Sequence, residues 1–520
     1  MATARAIDGR FDLDTIYTAW SAGAYKEYTN TRYSMSSNSG SSLGLELTGK
    51  NFLYDTYGNL TAGTIKSINV LNEDGSLQWT MTGLDFNANE FRATLNGPNY
   101  YNNSALLSMF KIIPLTVYGA SHDDEFVGGQ KADKFYGGFG SDTFVGGSGR
   151  DVFDGGVGGL DVANYALENG GGAIKVNLAK GTIIDTYGFV DTVANIEHII
   201  GTERADTFLG SSTATYEAFT GGGGADIING GGGTHNTVRY DNSYSYGYGV
   251  NVNLKGNSDG SGFGKISYYY YSDGTDIDKL IDIQDVVGTS SADTIVGSDQ
   301  ANVLAGLGGA DRLEGGLGSD TVDYSLEMTL RGVTVSLDKT YGIDTFSNRD
   351  TLISIENVVG TEVRDLLTGS LTNNLLYGRG GNDTLRGLAG NDRLEGGEGN
   401  DTLNGGIGRD VLSGGTGYDT FVFDTQLSAT ANTTKIIDFS PIDDQITLDN
   451  AVFRGLAEAV LADKAFFIGT KAHDADDRII YNNKIGAILY DADGNGAGAA
   501  VQFATISNNL KLTADDFFIV

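Results

Sequence analysis

The chain has 520 residues with 77 glycines, 3 prolines, 0 cysteines and a formal charge of −33. So little proline excludes collagen-like and proline-rich disordered chains, and the absence of cysteine excludes disulfides, thiolate metal sites and thiol catalysis. The negative charge excludes a nucleic-acid partner and calls for cations; hard oxygen donors select calcium or magnesium over zinc or copper.

The first stretch, "MATARAIDGRFDLDT", has no apolar segment or cleavage pattern of a secretion signal, and no run in the chain reaches membrane-spanning length. Taken alone this predicts a cytoplasmic protein, an expectation the far end of the chain reverses. Residues 1–117 form the first predicted domain. "NFLYDTYGNLTAGTIKSINVLNEDGSLQWTMTGLDF" alternates apolar and polar residues between turn signals, which predicts β-hairpins. "NNSALLSMF" predicts a short helix capped by Asn103 or Ser104. The segment is small for a catalytic domain and suits an assembly or adhesion role.

From residue 118 a nine-residue unit, G-G-x-G-x-D-x-U-x with U apolar, sets the register. It runs through Gly119–Asp154 ("GGFGSDTFV"), loosely through Gly201–Asn236 ("GGGGADIIN"), through Gly288–Asp323 ("GGLGSDTVD") and then without a break from Gly360 to Val422. Glycines admit positive φ and let carbonyl oxygens converge, and the aspartate adds an anionic oxygen. The register offers metal ligands at Asp133, Asp142, Asp151, Asp226, Asp293, Asp311, Asp320, Asp383, Asp392, Asp401, Asp410 and Asp419, with Asp206 and Asp365 in less regular copies. The last three residues suit a very short strand whose U side chain points inward: Phe144, Phe153, Ile227, Leu313, Leu385, Leu394, Leu403, Leu412 and Phe421. A lone unit has nothing to bury U against, so units must stack.

Three spacers interrupt the repeats, beginning at Asp161, Asn236 and Asp320. Each has an x-Y, then an alternating strand ("IKVNL", "VNVNL", "VTVSL"), and each closes on I-E/Q-x-I/V-I/V-G-T. The predicted organisation is therefore residues 118–200, 201–287 and 288–359 as three modules, 360–423 as a long repeat array, and 424–520 as a cap. In the cap, "DNAVFRGLAEAVLADKAFF" predicts one amphipathic helix and the rest reads as strands. "DADGNG" supplies Asp491, Asp493 and Asn495 at the odd positions of half an EF-hand loop, but position twelve is Gln502 rather than glutamate. Calcium binding and a plain glycine turn both remain open there.

The nine-residue pattern resembles the repeats-in-toxin (RTX) family of calcium-binding proteins. The resemblance implies an all-β fold, a parallel β-roll in tandem modules in which two units make one turn and rows of calcium ions lie between successive loops. "TADDFFIV" at the C-terminus resembles the uncleaved signal of type I-secreted proteins, and the tail is most similar to those of secreted RTX proteins from rhizobia and related alphaproteobacteria. It implies export through a type I apparatus and folding outside the cell on calcium.

Catalytic signatures are sparse. H-E-x-x-H is absent, and the two G-x-S-x-G matches, Gly40–Gly44 and Gly256–Gly260, sit in serine- and glycine-rich loops without a strand–elbow–helix context. The four histidines, His122, His198, His235 and His473, are far apart. One stretch stands out. "GGGGTHNTVRY" carries Asn236 where sibling modules have Asp161 and Asp320, and Arg239 where they have Asn164 and Asp323, before a tyrosine-rich spacer. His235, Asn236, Arg239 and Tyr240 are residue types that uronate lyases use to neutralise a carboxylate and abstract a proton. The expected function is a calcium-loaded extracellular scaffold in a matrix, surface layer or adhesive, assembling into sheets or filaments. The rival readings are an enzyme acting on acidic exopolysaccharide, most plausibly a lyase, and a secreted calcium-binding signalling protein.

Overall fold

A computed structural model of the chain describes residues 114–119, 123–214, 216–241, 249–255, 261–266, 276–428 and 430–520, and the course of six strands before them. The predicted helix at "NNSALLSMF" and the tyrosines of the second spacer beyond Tyr240 lie outside the described residues. What is described is all-β: strands joined by turns, with three short 3-10 turns and no α-helix. Among the described residues no helix is long and apolar enough to cross a membrane. The chain forms two compact units, residues 1–243 with 274–283, and residues 244–273 with 284–520.

In the first unit the strands Gly23–Tyr28, Arg32–Ser37, Gly44–Tyr54, Leu60–Leu71 and Leu77–Asn87 pair antiparallel in sequence order, the last three forming the predicted hairpins. Ala2–Ala6 joins Leu77–Asn87 antiparallel and Leu115–Tyr118 in parallel. There the sheet changes character. Leu115–Tyr118, Lys134–Phe139, Val152–Val157 and Val190–Ala194 stack in parallel on one side. Glu125–Val127, Thr143–Val145, Val162–Asn164, His198–Ile200, Glu217–Thr220 and Asn236–Arg239 stack in parallel on the other. Strands consecutive in the chain alternate sides, so two units make one turn.

The second unit repeats the scheme. Its longest regular stretch stacks Leu366–Thr368, Thr384–Arg386, Thr402–Asn404 and Thr420–Phe423 on one side. Leu375–Gly380, Arg393–Glu398 and Val411–Thr416 stack on the other. Each spacer adds antiparallel strands to one side. In the first, Thr182–Ile184 turns back on Val190–Ala194 and Lys175–Asn177 turns again, so the following strand, Thr207–Leu209, resumes the parallel ladder. In the third, Tyr341–Ile343 and Thr334–Ser336 do the same before Leu366–Thr368.

The U side chains fill the space between the two sides. Leu385, Leu394, Leu403 and Phe421 are fully buried. In the first module Phe126, Phe144, Phe153 and Phe135 stack with ring centroids 5.0–6.0 Å apart. Each buried side chain contributes about 1.5–3 kcal/mol, and stacking is the only way a three-residue strand obtains it. One expected core residue is displaced: Ile228 is buried and Ile227 is 44% exposed, because the eighth position of "GGGGADIIN" is the second isoleucine.

The C-terminal segment departs from expectation. The predicted helix at "DNAVFRGLAEAVLADKAFF" does not form. Asp449 opens a turn by accepting the N–H groups of Ala451 and Phe453, and Gly455 takes φ +85. Ala459–Val460 then pairs with Phe517–Ile519, and a 3-10 turn at Asp463–Ala465 leads into the strand Phe466–Ile468. Phe453, Leu461 and Ala465 are buried one at a time rather than as one helical stripe. Phe517–Ile519 lies parallel to Gln445–Leu448 and extends the ladder, so the acidic, apolar tail is part of the sheet.

Candidate functional site

The repeat aspartates do two things at once. One oxygen, Oδ1, accepts a backbone N–H one turn back, which in the long array is 18 residues earlier: Asp365 N–H to Asp383 at 2.8 Å, Asp383 to Asp401 at 2.8 Å, Asp392 to Asp410 at 3.0 Å, and Asp401 to Asp419 at 2.9 Å. This ladder holds successive turns together without any ion.

The second oxygen divides the loops into two kinds. In ten of them, those of Asp142, Asp151, Asp226, Asp311, Asp320, Asp383, Asp392, Asp401, Asp410 and Asp419, Oδ2 is buried and has no hydrogen-bond partner. In the others it is satisfied within the loop. The N–H of the second residue donates to Asp133 (from Gly129, 2.8 Å), Asp206 (Thr202, 2.6 Å), Asp293 (Thr289, 2.6 Å) and Asp365 (Thr361, 2.6 Å). The threonine hydroxyls add a bond to the last three. Where asparagine replaces aspartate the closure is complete: Asn302 and Asn374 accept from Ser298 and Ser370, and their Nδ2 groups donate to carbonyls 18 residues back, at 2.6 and 2.7 Å.

The fourth residue of the unit decides which kind forms. Each of the ten open loops has glycine there, at φ between +101° and +157° (Gly224, Gly149 and Gly408 mark the limits). The six closed loops carry Lys131, Arg204, Ser291, Gln300, Val363 and Thr372 at that place. A side chain is excluded from the open form: a Cβ on Gly399 would lie 1.7 Å from the Gly381 carbonyl oxygen. The turn this glycine permits swings the second N–H away from the aspartate and leaves Oδ2 open.

The open oxygen faces further oxygens. A Cβ on Gly396 would meet Asp401 Oδ2 at 2.2 Å and the Gly414 carbonyl oxygen at 2.6 Å; on Gly378 it would meet Asp383 Oδ2 at 2.3 Å and the Gly396 oxygen at 2.6 Å. Burial pushes these carboxyls up: Asp151 and Asp311 to about 9, Asp383 to about 8, Asp142 and Asp392 to about 7. A row of buried, unpartnered oxygens lined by carbonyls, with no nitrogen or sulfur donor, fits a hard divalent cation of flexible coordination; calcium takes 6–8 such oxygens, whereas magnesium demands a tighter octahedron.

The "GGGGTHNTVRY" candidates do not converge. His235 is exposed. Asn236 is fully buried, and its Nδ2 donates to the Asp282 carbonyl at 2.9 Å, as the asparagines of closed loops do. Arg239 is paired with Asp241. Tyr240 is buried, its hydroxyl donates to Asp278 Oδ2 at 3.0 Å, and burial pushes its pKa well above the ordinary value. That hydroxyl is a structural donor, not an accessible base. The sibling tyrosines are alike: Tyr165 donates to Asp191 at 3.0 Å and Tyr324 to Asp350 at 2.9 Å. The x-Y of each spacer is therefore a buried tyrosine–aspartate pin. Its partner lies 26 or 38 residues on, which local pattern does not reveal.

Of the other histidines, His198 is buried with Nε2 2.9 Å from Thr220 Oγ1, and burial holds it down to about 4. His122 lies outside the described residues. His473, Asp474 and Asp477 bring ligand atoms within 4.8 Å of one another, but the Asp474 and Asp477 carboxylates accept N–H groups of their own turn. In the half EF-hand loop, Asp491 Oδ1 accepts from Asp493 N–H at 3.3 Å and Asp493 Oδ2 from Gly498 N–H at 3.0 Å. The Asn495 N–H goes to the Asp474 carbonyl, and Gln502 Nε2 reaches Thr505 Oγ1 at 2.8 Å. These bonds are those of a glycine turn.

Comparison with known proteins gives the following. The sequence model of the RTX calcium-binding nonapeptide repeat (4 copies) matches residues 118–158, 219–234, 287–322, 359–394 and 386–421. No curated protein matches the chain in sequence. Among solved structures, a subunit of the Azotobacter vinelandii mannuronan C5-epimerase is similar at 27% identity, covering 31% of this chain and 80% of its own, with a TM-score of 0.15. The extracellular lipase LipA from Serratia marcescens is similar at 12% identity, covering 92% of this chain and 80% of its own, with a TM-score of 0.20.

Proposed function

The repeat tracts of this chain belong to the RTX calcium-binding nonapeptide family, and on that premise we propose that the protein is a secreted scaffold that folds on calcium and serves in a matrix, surface layer or adhesive. The observation that carries the reading is the row of open loops, in which Asp383, Asp401 and Asp419 on one side and Asp392 and Asp410 on the other hold unpartnered Oδ2 atoms, those of Asp383, Asp392 and Asp401 beside glycine carbonyls. We assign calcium to the ten open loops and not to the closed loops of Asp133, Asp206, Asp293 and Asp365. Without the ion the carboxylates are buried and unmatched; with it the loops close and the short strands order, so binding and folding are one process. Affinities of about 10⁻⁴–10⁻³ M per ion suit a protein that stays open in a cell poor in calcium and folds outside it. Type I export and self-association into sheets or filaments are part of the proposal.

Two measurements test it. Far-ultraviolet circular dichroism of the full chain is titrated with calcium, for the wild type and for Asp392→Ala/Asp401→Ala. The double variant needs more calcium to fold; an unchanged titration removes the site assignment. Electron microscopy before and after calcium addition reads assembly: ordered sheets or filaments support the scaffold role, and persistent monomers overturn it.

A further inference from the structure

Two of the three spacers gather several carboxylates that belong to no nonapeptide over one open loop. In the first module Glu168, Asp185 and Asp191 gather over the open loop of Asp151. The Asp151 N–H donates to Asp191 Oδ1 at 2.9 Å, and Tyr165 holds the other oxygen of Asp191. Glu168 reaches down to the loop: its Oε1 accepts from Gly147 N–H at 3.0 Å and its Oε2 from Thr186 Oγ1 at 2.8 Å. Asp185, at the tip of the spacer hairpin, accepts from Tyr187 and Phe189 N–H through Oδ1. Asp151 Oδ2 and Asp185 Oδ2 are buried without a hydrogen-bond partner.

The third module builds the same group again, with its tyrosine, glutamate and two aspartates at the same spacing. Asp311 N–H donates to Asp350 Oδ1 at 3.0 Å, and Tyr324 holds Asp350 Oδ2. Glu327 accepts from Thr345 N–H at 2.9 Å, and Asp344 accepts from Gly309 N–H of the loop at 3.2 Å. Asp311 Oδ2 and Glu327 Oε1 are buried and unpartnered. Asp311, Glu327, Asp344 and Asp350 are each 5% exposed or less. Among the leading influences on Asp151, Glu168, Asp191, Asp311, Glu327 and Asp350, every charged group is another carboxylate. Several buried anions around one loop, with no cation, are strongly unfavourable unless an ion joins them.

We propose that these two spacers each complete a calcium site richer in negative charge than the loop-on-loop sites, one at the Asp151 loop with Glu168 and Asp185, the other at the Asp311 loop with Glu327 and Asp344. No three carboxylate oxygens of either group lie within 4.8 Å of one another. One ion therefore takes at most two of them directly; loop carbonyls and water complete its shell, and the remaining carboxylates add charge from just outside. Asp191 and Asp350, pinned by their tyrosines, act as positioning residues. The middle module has the pin, Tyr240–Asp278; in its sequence, counted from that tyrosine and aspartate, Ser243 and Ser272 stand where the siblings have glutamate and aspartate, and both serines lie outside the described residues. Ligand charge raises calcium affinity, so these two sites fill before the rest and order the spacer hairpins first.

The inference rests on the reading that open loops take calcium, and the test separates the two. Calcium-free full-length protein is titrated with calcium by calorimetry, and bound ions are counted by native mass spectrometry at low free calcium. The wild type is expected to bind two ions at least 10-fold more tightly than the others. Glu168→Gln/Glu327→Gln, which keeps acceptors for Gly147 and Thr345, is expected to lose that tight pair and keep the weaker class. Asp392→Asn/Asp401→Asn is expected to keep the tight pair and bind fewer ions in the weaker class. Circular dichroism at saturating calcium verifies that each variant folds. A single class of equal sites in the wild type, or a tight pair that survives the glutamine substitutions, overturns the inference while the open-loop reading stands. No calcium bound by the wild type at all overturns the open-loop reading itself.

Discussion

Replacing Asp401 by asparagine should stabilise the array without calcium and abolish the stabilisation that calcium adds at this loop. Asp401 Oδ1 accepts the Asp383 N–H at 2.8 Å, a bond an amide oxygen keeps. Its Oδ2 is buried with no partner, and burial raises the carboxyl pKa. Asn302 and Asn374 show what an amide does there: Nδ2 donates to a carbonyl one turn back at 2.6 and 2.7 Å. Meeting a buried unsatisfied group is worth about 1–3 kcal/mol, the expected gain in chelator. With 10 mM calcium and a dissociation constant of about 10⁻⁴–10⁻³ M, the wild-type loop gains about 1.4–2.7 kcal/mol per ion, which the variant forgoes. Hydrogen exchange of peptides spanning residues 378–422 reads both states of the full chain. The variant should exchange about 10-fold more slowly than wild type in chelator and should lose the slowing of about 10-fold or more that calcium gives the wild type, one decade per 1.4 kcal/mol. Faster exchange in chelator, or an undiminished calcium response, would refute the view that Oδ2 is the ion's oxygen.

Calcium binding should release protons and weaken on acidification. The folded, calcium-free protein holds protons on Asp151 and Asp311 up to about 9 and on Asp383 up to about 8, whereas the unfolded chain gives them up near 3.8. That fold therefore binds more protons than the unfolded chain, and loses stability as pH rises from about 4 through those values. The ion displaces the same protons, so apparent affinity should fall between pH 8 and 6. Calorimetry in two buffers of different ionisation heat counts the protons, and none released would contradict the burial argument. Tyr165→Phe leaves Asp191 Oδ2 without its donor, at an expected cost of about 1–3 kcal/mol and a loss of exchange protection in residues 182–194; unchanged protection there would remove the pin. Gly397→Ala places a β-carbon 1.9 Å from the Arg379 carbonyl oxygen at φ +115. It should cost at least about 1–2 kcal/mol and raise the calcium midpoint seen by circular dichroism; an unmoved midpoint would show that the loop relaxes freely.

The roll was legible because its information is local. Every ninth position returns to the same place, so Leu385, Leu394 and Leu403 announce the interior without any long-range contact. Where two apolar residues adjoin, as at Ile227 and Ile228, the eye slips by one and only the count corrects it. The division into open and closed loops was also written locally, in the fourth residue, yet reading it needs the φ that a crowded neighbouring turn imposes at Gly399. The apolar residues from Phe453 to Ala465 have helical spacing, but the edge of the roll recruits Ala459–Val460 and tertiary pairing overrides the local preference.

What local pattern does not carry is the spacer. Tyr165 and Asp191, or Glu168 and Gly147, meet only because a hairpin folds back over a loop already made. The side chains of "GGGGTHNTVRY" do not converge, for a reason of the same kind. Residue types adjacent in sequence alternate between the two faces of the strand Asn236–Arg239, and Val238 and Tyr240 turn inward while Arg239 does not. Adjacency along a strand separates side chains instead of gathering them. In a roll, residues able to share one ion are those one turn or one spacer apart, such as Asp151 with Glu168 and Asp311 with Glu327, and there the repeats and the spacers contribute to the same sites.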